Sequence, residues 1–449
     1  MKNWEIHYTT KTGGEQVLAM ESQERPTEEM AAMHIRNAEM PGPHVIPTTE
    51  RGDPNPTVTQ LRKKGIKITR IGEARSGQHS SIKRLYVDNY KCLVNFELPL
   101  QELTLLVGPN GVGKTCVLSV MFALRRLLLN RAKITGSRIF NGWTPTRWQT
   151  RSIQVFELDV ELESDALRYR LEVQHDRPSR RAEIRSEQLT TNEGPLFKYQ
   201  SGEAQLYRDD HSEGQRFPAE PSESALARVP PRPDNTRLTR FLEFMRKVIV
   251  CGLYPAGFRA ESRAEDAELN RQASNFADWY RHMSQERQDL VSDLTGALRE
   301  VLEGFKGIRM EKVGAGTRAM SVVFDEHGVE YQLRLRTVSD GQRALIALYS
   351  LLHLTAGQGY TLFLDEPDNY LALAEIQPWL IALADACGDT IPQAVLCSHH
   401  PELIDYLGPD RGLLLQREAS GVTVVKPLTE ATLGEGLKLS ERIARGWQR

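Results

Sequence analysis

Leu103-Thr104-Leu105-Leu106-Val107-Gly108-Pro109-Asn110-Gly111-Val112-Gly113-Lys114-Thr115 is an apolar run that passes directly into a glycine-rich loop. A run of this kind reads as a β-strand buried on both faces, the signature of a parallel sheet. The loop matches G-x-x-x-x-G-K-[ST]. Its glycines let backbone N–H groups curl around phosphates, and the helix that follows aims its positive end at them. Gly108, Asn110, Gly111, Gly113, Lys114 and Thr115 are therefore the expected nucleotide-binding residues. Lys114 is expected to bridge the β- and γ-phosphates, and the Thr115 hydroxyl to ligate Mg²⁺.

Three further stretches fit the same chemistry. Thr361-Leu362-Phe363-Leu364-Asp365-Glu366-Pro367 is a second buried strand that delivers two acids at its C-terminal end, where α/β folds place ligands. Asp365 is expected to hold Mg²⁺, and Glu366 to polarise the attacking water as general base. Val338-Ser339-Asp340-Gly341-Gln342-Arg343 opens a helical run with a serine cap. Ala394-Val395-Leu396-Cys397-Ser398-His399-His400-Pro401-Glu402 is a third apolar strand, ending in histidines. A His-His metal site is the competing reading there, but it lacks matching carboxylates nearby.

Together these residues resemble the RecF, SMC and OLD-type branch of the ABC ATPases. Ile82-Lys83-Arg84-Leu85-Tyr86-Val87-Asp88-Asn89-Tyr90-Lys91 resembles the strand that begins those proteins, and the likeness covers roughly 81–175 and 320–430. It implies an α/β fold: a P-loop NTPase of the ABC head type, a mixed antiparallel β lobe plus a parallel RecA-like sheet. It implies ATP and Mg²⁺ as cofactors. It also makes 338–343 a variant of the LSGGQ signature, in which Ser339, Gly341 and Gln342 meet the γ-phosphate held by a partner subunit. Asp340 departs from the pattern and adds a negative charge near a phosphate. The resemblance picks His399 as the γ-phosphate sensor, with His400 second. Asp368-Asn369 falls at the D-loop, where Tyr370-Leu371-Ala372 departs from the family, and Gln149 and Gln154 are candidates for the Q-loop glutamine.

The 449 residues suffice for two or three domains. Residues 1–78 read as a small α+β accessory domain, with strands at 4–10 and 16–19 around Gly13-Gly14, a helix at 27–35 and a proline-rich connection. The ATPase head is expected over 81–449, with an inserted, partly helical region about 176–320. Within it, 200–236 is polar and proline-rich and reads as a surface loop. Helices are expected at 236–250, 274–283 and 284–304. The five cysteines are scattered and form no C-x-x-C pair, which argues against a thiolate zinc site and for a reducing compartment. No apolar stretch approaches 18 residues, so a membrane span is not expected and a cytoplasmic location is.

The net charge of −2 argues neither for nor against nucleic acid, but its distribution does. From Leu103 to Phe156 there is no acid, while Arg125, Arg126, Arg131, Lys133, Arg138, Arg147 and Arg151 accompany Trp143 and Trp148. A basic stretch with aromatics is the footprint expected for DNA contact. Without a coupling helix, long heptads or room for a Toprim nuclease, the chain reads as a homodimeric or higher-order ATPase switch that sandwiches ATP. Soluble ATPases of this branch resemble the sensor subunits of bacterial anti-phage systems, which control a separate effector, here expected to be engaged through 1–78. A RecF-like DNA-repair or recombination ATPase, or a nucleotide-gated scaffold with little turnover, is the alternative.

Overall fold

The structure, a computed structural model, describes residues 2–10, 15–22, 26–39, 55–73, 80–129, 132–134, 139–163, 165–176, 178–428 and 438–444. The expected turn at Gly13-Gly14, most of the proline-rich connection, and Arg131 and Arg138 lie outside the described residues. Two compact units are present, Met1–Gln78 and His79–Arg449.

In the first unit, β1 (Lys2–Thr9) pairs antiparallel with β2 (Glu15–Ser22), and two helices follow, α1 (Glu28–Glu39) and α2 (Pro56–Lys63). The closing strand β3 (Lys67–Glu73) lies on the other side of β1. Alternate strand residues Ile6 and Tyr8 pack on Ala31, Ala32 and Ile35 of α1 and on Val58 and Leu61 of α2. Proline opens α2, and Glu29 of α1 caps it, accepting from Thr57 N at 2.9 Å and Val58 N at 3.2 Å. A carboxylate there meets both orphan N–H groups and the positive end of the helix.

The second unit starts with β4 (Ser81–Asp88), β5 (Phe96–Pro99), β6 (Leu103–Val107) and α3 (Lys114–Leu128). Next come β7 (Ile153–Leu162), β8 (Asp165–Asp176), β9 (Arg181–Thr191), β10 (Pro195–Gln200), β11 (Glu203–Tyr207) and β12 (Glu213–Pro218). These strands, without β6, form one antiparallel sheet ordered β12-β11-β10-β9-β8-β7-β4-β5. The expected 200–236 loop is thus corrected: its first half supplies two strands. Every residue of β12 is exposed or half-exposed, so no apolar alternation marks it.

After α4 (Thr236–Arg246) the chain enters β13 (Val248–Cys251), which corrects the helix expected to run to 250. The two-residue strand β14 (Glu261–Ser262), helices α5 (Phe276–Glu286) and α6 (Gln288–Val301), and strands β15 (Phe305–Lys312), β16 (Arg318–Glu326) and β17 (Val329–Arg334) follow. The chain then reads α7 (Asp340–Leu354), β18 (Thr361–Asp365), α8 (Leu373–Ala386), β19 (Gln393–Cys397), α9 (Pro401–Arg411), β20 (Gly412–Arg417), β21 (Thr423–Pro427) and α10 (Leu439–Ala444).

The parallel sheet is ordered β13-β18-β19-β6-β20, with β21 antiparallel at its edge. Its strands are continuously apolar because both faces are covered. Leu106, Phe363 and Val395 join the core with α3 and the antiparallel sheet, whereas Leu105, Leu362, Leu364 and Leu396 join the core with α7 and α8. The strand period of two assigns these residues to opposite layers. A buried amide ties the two sheets together. Gln393 on β19 accepts from Ile82 N of β4 at 3.0 Å and donates to Ile82 O at 2.8 Å and Gln101 O at 2.9 Å.

Candidate functional site

Three parallel strands end side by side at the candidate site. β6 leads into the glycine loop, β18 ends at Asp365, and β19, lying between them, ends at Cys397 just before the histidines. Two glycines of the loop adopt backbone that a side chain would forbid. Gly108 has φ +146°, and a Cβ there would lie 2.4 Å from Leu415 O of β20. Gly113 has φ +118°, and its Cβ would meet Cys92 Sγ at 2.9 Å. The β20–β21 hairpin thus braces the loop from behind, and Thr423 Oγ1 donates to Val112 O at 2.6 Å. Lys114 is buried at 6% exposure, with its ammonium donating to Gly108 O at 2.5 Å and Pro109 O at 3.4 Å. An ammonium held only by loop carbonyls is poised to exchange them for phosphate oxygens.

Burial pushes the Asp365 carboxyl above its ordinary range and the adjacent Glu366 adds to this, while Arg271, the Thr115 hydroxyl and Lys114 act in the other direction. Asp365, Thr115 and Lys114 therefore share one site. A hydroxyl beside a desolvated carboxylate is an oxygen donor set suited to a hard divalent cation. Arg271 escaped the sequence reading. It stands on the segment between β14 and α5, donates to Ser119 Oγ on α3 at 2.8 Å and lies 5.5 Å over the Phe122 ring. Its backbone carbonyl accepts from Gly252 N at 2.8 Å, just beyond β13.

Glu366 adopts φ +47°, a left-handed conformation that costs a residue bearing a Cβ about 1–2 kcal/mol. Its amide donates to Cys397 O at 2.8 Å, which ties the turn to β19. Its carboxylate is held at both oxygens: Asn369 Nδ2 donates to Oε2 at 2.8 Å, and His399 Nδ1 lies 3.0 Å from Oε1. His400 is engaged elsewhere, as the N-cap of α9, with Nδ1 accepting from Glu402 N at 3.3 Å. No sequence signal marked Asn369 as the second clamp on Glu366.

Ser339 caps α7 in a reciprocal box. Its Oγ accepts from Gln342 N at 3.2 Å, while Gln342 Oε1 accepts from Ser339 N at 3.3 Å. Asp340 pairs with Arg343, which also donates to Pro255 O at 2.6 Å. The extra negative charge is thereby neutralised within its own helical turn. Gly341 packs under the Tyr370 backbone, where a Cβ would lie 2.9 Å from Tyr370 O. Among the described residues no hydrogen bond joins 339–342 to 108–115.

The structure gives local partners to two further groups of expected site residues. Gln154 is fully buried, donates to Asn89 O at 2.9 Å and lies 2.7 Å from His175 Nε2; Gln149 accepts from Arg151 at 2.8 Å. Of the basic residues expected to contact DNA, Arg125 is buried, donating to Arg246 O at 3.2 Å with Glu268 3.5 Å away. Lys133 pairs with Glu223, and Arg151 donates to Asp88 at 2.8 Å. Arg126 lies 5.7 Å over Phe122, and Arg147 5.4 Å over Trp143. The acids that pair these cations are distant in sequence, so the run appeared unbalanced.

Residues 103–405 match the family model described as "AAA domain, putative AbiEii toxin, Type IV TA system". An OLD nuclease from Thermus scotoductus is 57% identical over 37 residues, which is 8% of this chain and 7% of that protein. Similar solved structures include an SMC head bound to the C-terminal winged-helix domain of ScpA, at 12% identity and TM-score 0.48, covering 79% of this chain and 99% of that one. The SMC head domain from Thermotoga maritima aligns at 14% identity and TM-score 0.40, covering 77% and 98%.

Proposed function

Because the chain belongs to the AAA-domain family matched over 103–405, a family of P-loop ATPases, we propose that it is a Mg²⁺-dependent ATP hydrolase working as a nucleotide-driven dimer switch. The observation that carries this reading is the clamped carboxylate of Glu366, held by Asn369 and His399 one residue beyond the buried Asp365. A carboxylate fixed at both oxygens is preorganised to orient water against a γ-phosphate.

In this reading Lys114 leaves its loop carbonyls for the β- and γ-phosphates, and the amides of 110–115 cradle them. Thr115 and Asp365 would hold Mg²⁺, which when bound neutralises phosphate charge. Glu366 takes the proton of the attacking water, and His399 holds Glu366 in place and senses the γ-phosphate. The partner's segment equivalent to 339–342 completes the site, and hydrolysis releases the pair. The capping box presents the Ser339 hydroxyl and the helix N-terminus already formed. The pairing of Asp340 with Arg343 supports hydrolysis over the alternative of a non-hydrolysing scaffold.

The family description names a putative toxin of a type IV TA system; in this reading the ATPase governs a separate effector in anti-phage defence, with residues 1–78 as a docking unit. A RecF-like repair role is the alternative, and DNA is a proposed partner of either. No described helix is long and apolar enough to cross a membrane, which is compatible with action in the cytoplasm.

The test compares steady-state ATP hydrolysis with and without Mg²⁺ for wild type and Glu366→Gln, with light scattering on the same samples. Loss of a general base lowers turnover by about 10²–10⁴-fold, so the variant should be nearly inactive and dimeric with ATP. Equal, near-zero rates in both proteins would refute the hydrolase.

A further inference from the structure

One group of exposed cations in the second unit lies apart from the run that stands out in the sequence. β14 and β17 pair with the same edge of β16: Glu261 opposite Ala319 and Ser262 opposite Arg318, then Arg334 opposite Ser321. Between these pairs Met320 N donates to Ala260 O at 2.7 Å. The two chains approach one another at one point of the strand and both turn out of the sheet there. A step of two strand residues is about 7 Å, so the arginines flanking β14 and those ending β17 are brought into one place. The result is a cavity of about 720 Å³, lined by Arg259, Arg263, Arg334 and Arg336 with Phe258, Ala260, Glu261 and Val313.

Arg259 is paired with Asp278 at 2.9 Å. Among the described residues Arg263, Arg334 and Arg336 have no carboxylate partner, and all three are exposed. This contrasts with the antiparallel sheet, where Arg84, Arg168 and Arg170 are each bonded to one or more acids. Holding guanidinium groups of like charge around one cleft is unfavourable without an anion, and the fork of arginine matches phosphate bidentately.

We infer that this cleft, at the junction of β14 and β17, is a docking site for the phosphate backbone of duplex DNA. The inference deepens the DNA partner of the proposed function, to which it is otherwise indifferent: it requires no hydrolysis. The lining favours a backbone over an acidic protein segment. It offers repeated guanidinium charge and carries no amide or aromatic ring exposed to read a side chain or base edge. Each DNA strand places one charge per about 3.4 Å along the axis, so a single strand can meet arginines from both chains. Arg336 sits in the turn Leu335–Thr337, three residues before the Ser339 cap. Binding would therefore act directly on the base of α7.

The experiment is fluorescence anisotropy of a labelled 20-base-pair duplex with the full chain across 50–200 mM salt, alongside ATP hydrolysis without DNA. For Arg263→Ala/Arg334→Ala the slope of log K against log salt should fall by about two, one per phosphate contact removed. Affinity at 100 mM salt should drop at least about tenfold, with DNA-free hydrolysis unchanged. Arg309→Ala, which removes an arginine already paired with Glu330 in the same sheet, should bind as wild type does. Absence of binding at low salt, or equal affinity of the double variant and wild type, would overturn the site. Displacement of the duplex by poly-glutamate as readily as by unlabelled duplex would overturn DNA as its occupant. Because Glu366→Gln should bind DNA normally, failure of this inference and failure of the hydrolase reading are distinguishable.

Discussion

Replacing Gln393 by leucine removes the amide that joins the antiparallel sheet to the parallel one, and the loss can be worked from the contacts. The side chain is fully buried and makes three hydrogen bonds, one accepted from Ile82 N and two donated to Ile82 O and Gln101 O. Leucine fills similar volume, so little cavity cost arises. The penalty is that buried backbone groups of Ile82 lose their partners, at about 1–3 kcal/mol each, while the carbonyl of the exposed Gln101 can recover water and costs less. The sum is about 4 kcal/mol. With a urea slope of about 3 kcal/mol/M, the unfolding midpoint should fall by about 1.3 M. Circular dichroism in urea measures it, and ATP hydrolysis below the transition reports the site. Because β19 runs from Gln393 towards the histidine turn, activity should fall together with stability. A midpoint shift under about 0.3 M would refute the claim that this amide clasps the two sheets.

Asn369→Ala frees one oxygen of Glu366 while leaving the carboxylate in place; kcat should fall about tenfold with KM little changed, and an unchanged kcat would show that the clamp is idle. Asp365 has its carboxyl raised by burial, so the folded chain holds that proton to higher pH than the unfolded chain. Its contribution to stability is therefore present below the ordinary carboxylate range and is lost as pH rises through the folded value. Asp365→Asn should accordingly raise the nucleotide-free urea midpoint at pH 7 and cease to do so near pH 4, a pattern that a pH series of melts would confirm or contradict. Arg343→Ala leaves Asp340 uncompensated and Pro255 O without its donor; ATP-dependent dimerisation by light scattering should weaken at least about tenfold, whereas Asp340→Gly/Arg343→Ala should recover part of it.

The residues that betray themselves in the sequence are those whose environment is local. A strand covered on both faces must be apolar throughout, so β6, β18 and β19 stand out, and the glycine loop is bound to β6 by covalent continuity. Strand β12 does not stand out, because a mostly exposed strand has no pattern to show. Strand β13 directly continues a helix, and its four buried apolar residues fit either period. Arg271 reaches the site from a loop with no motif of its own, and the arginine cleft depends on two chain segments meeting at Met320. The basic run between 103 and 156 shows the converse: its partners Asp88, Glu223 and Glu268 lie outside it in the sequence.

The hairpin behind the glycine loop sets a condition on how far the chain can be shortened. The stretch 103–405 holds the glycine loop, the serine cap, the acidic pair and the histidines, yet the backbone that fits against Gly108 belongs to Leu415, and the hydroxyl that steadies Val112 belongs to Thr423. A protein ending at residue 411 would keep all of its signature residues and lose the wall they rest on. Its loop would have to pay for its own ordering each time a triphosphate arrived. Such a fragment should look complete in any alignment and still bind nucleotide poorly.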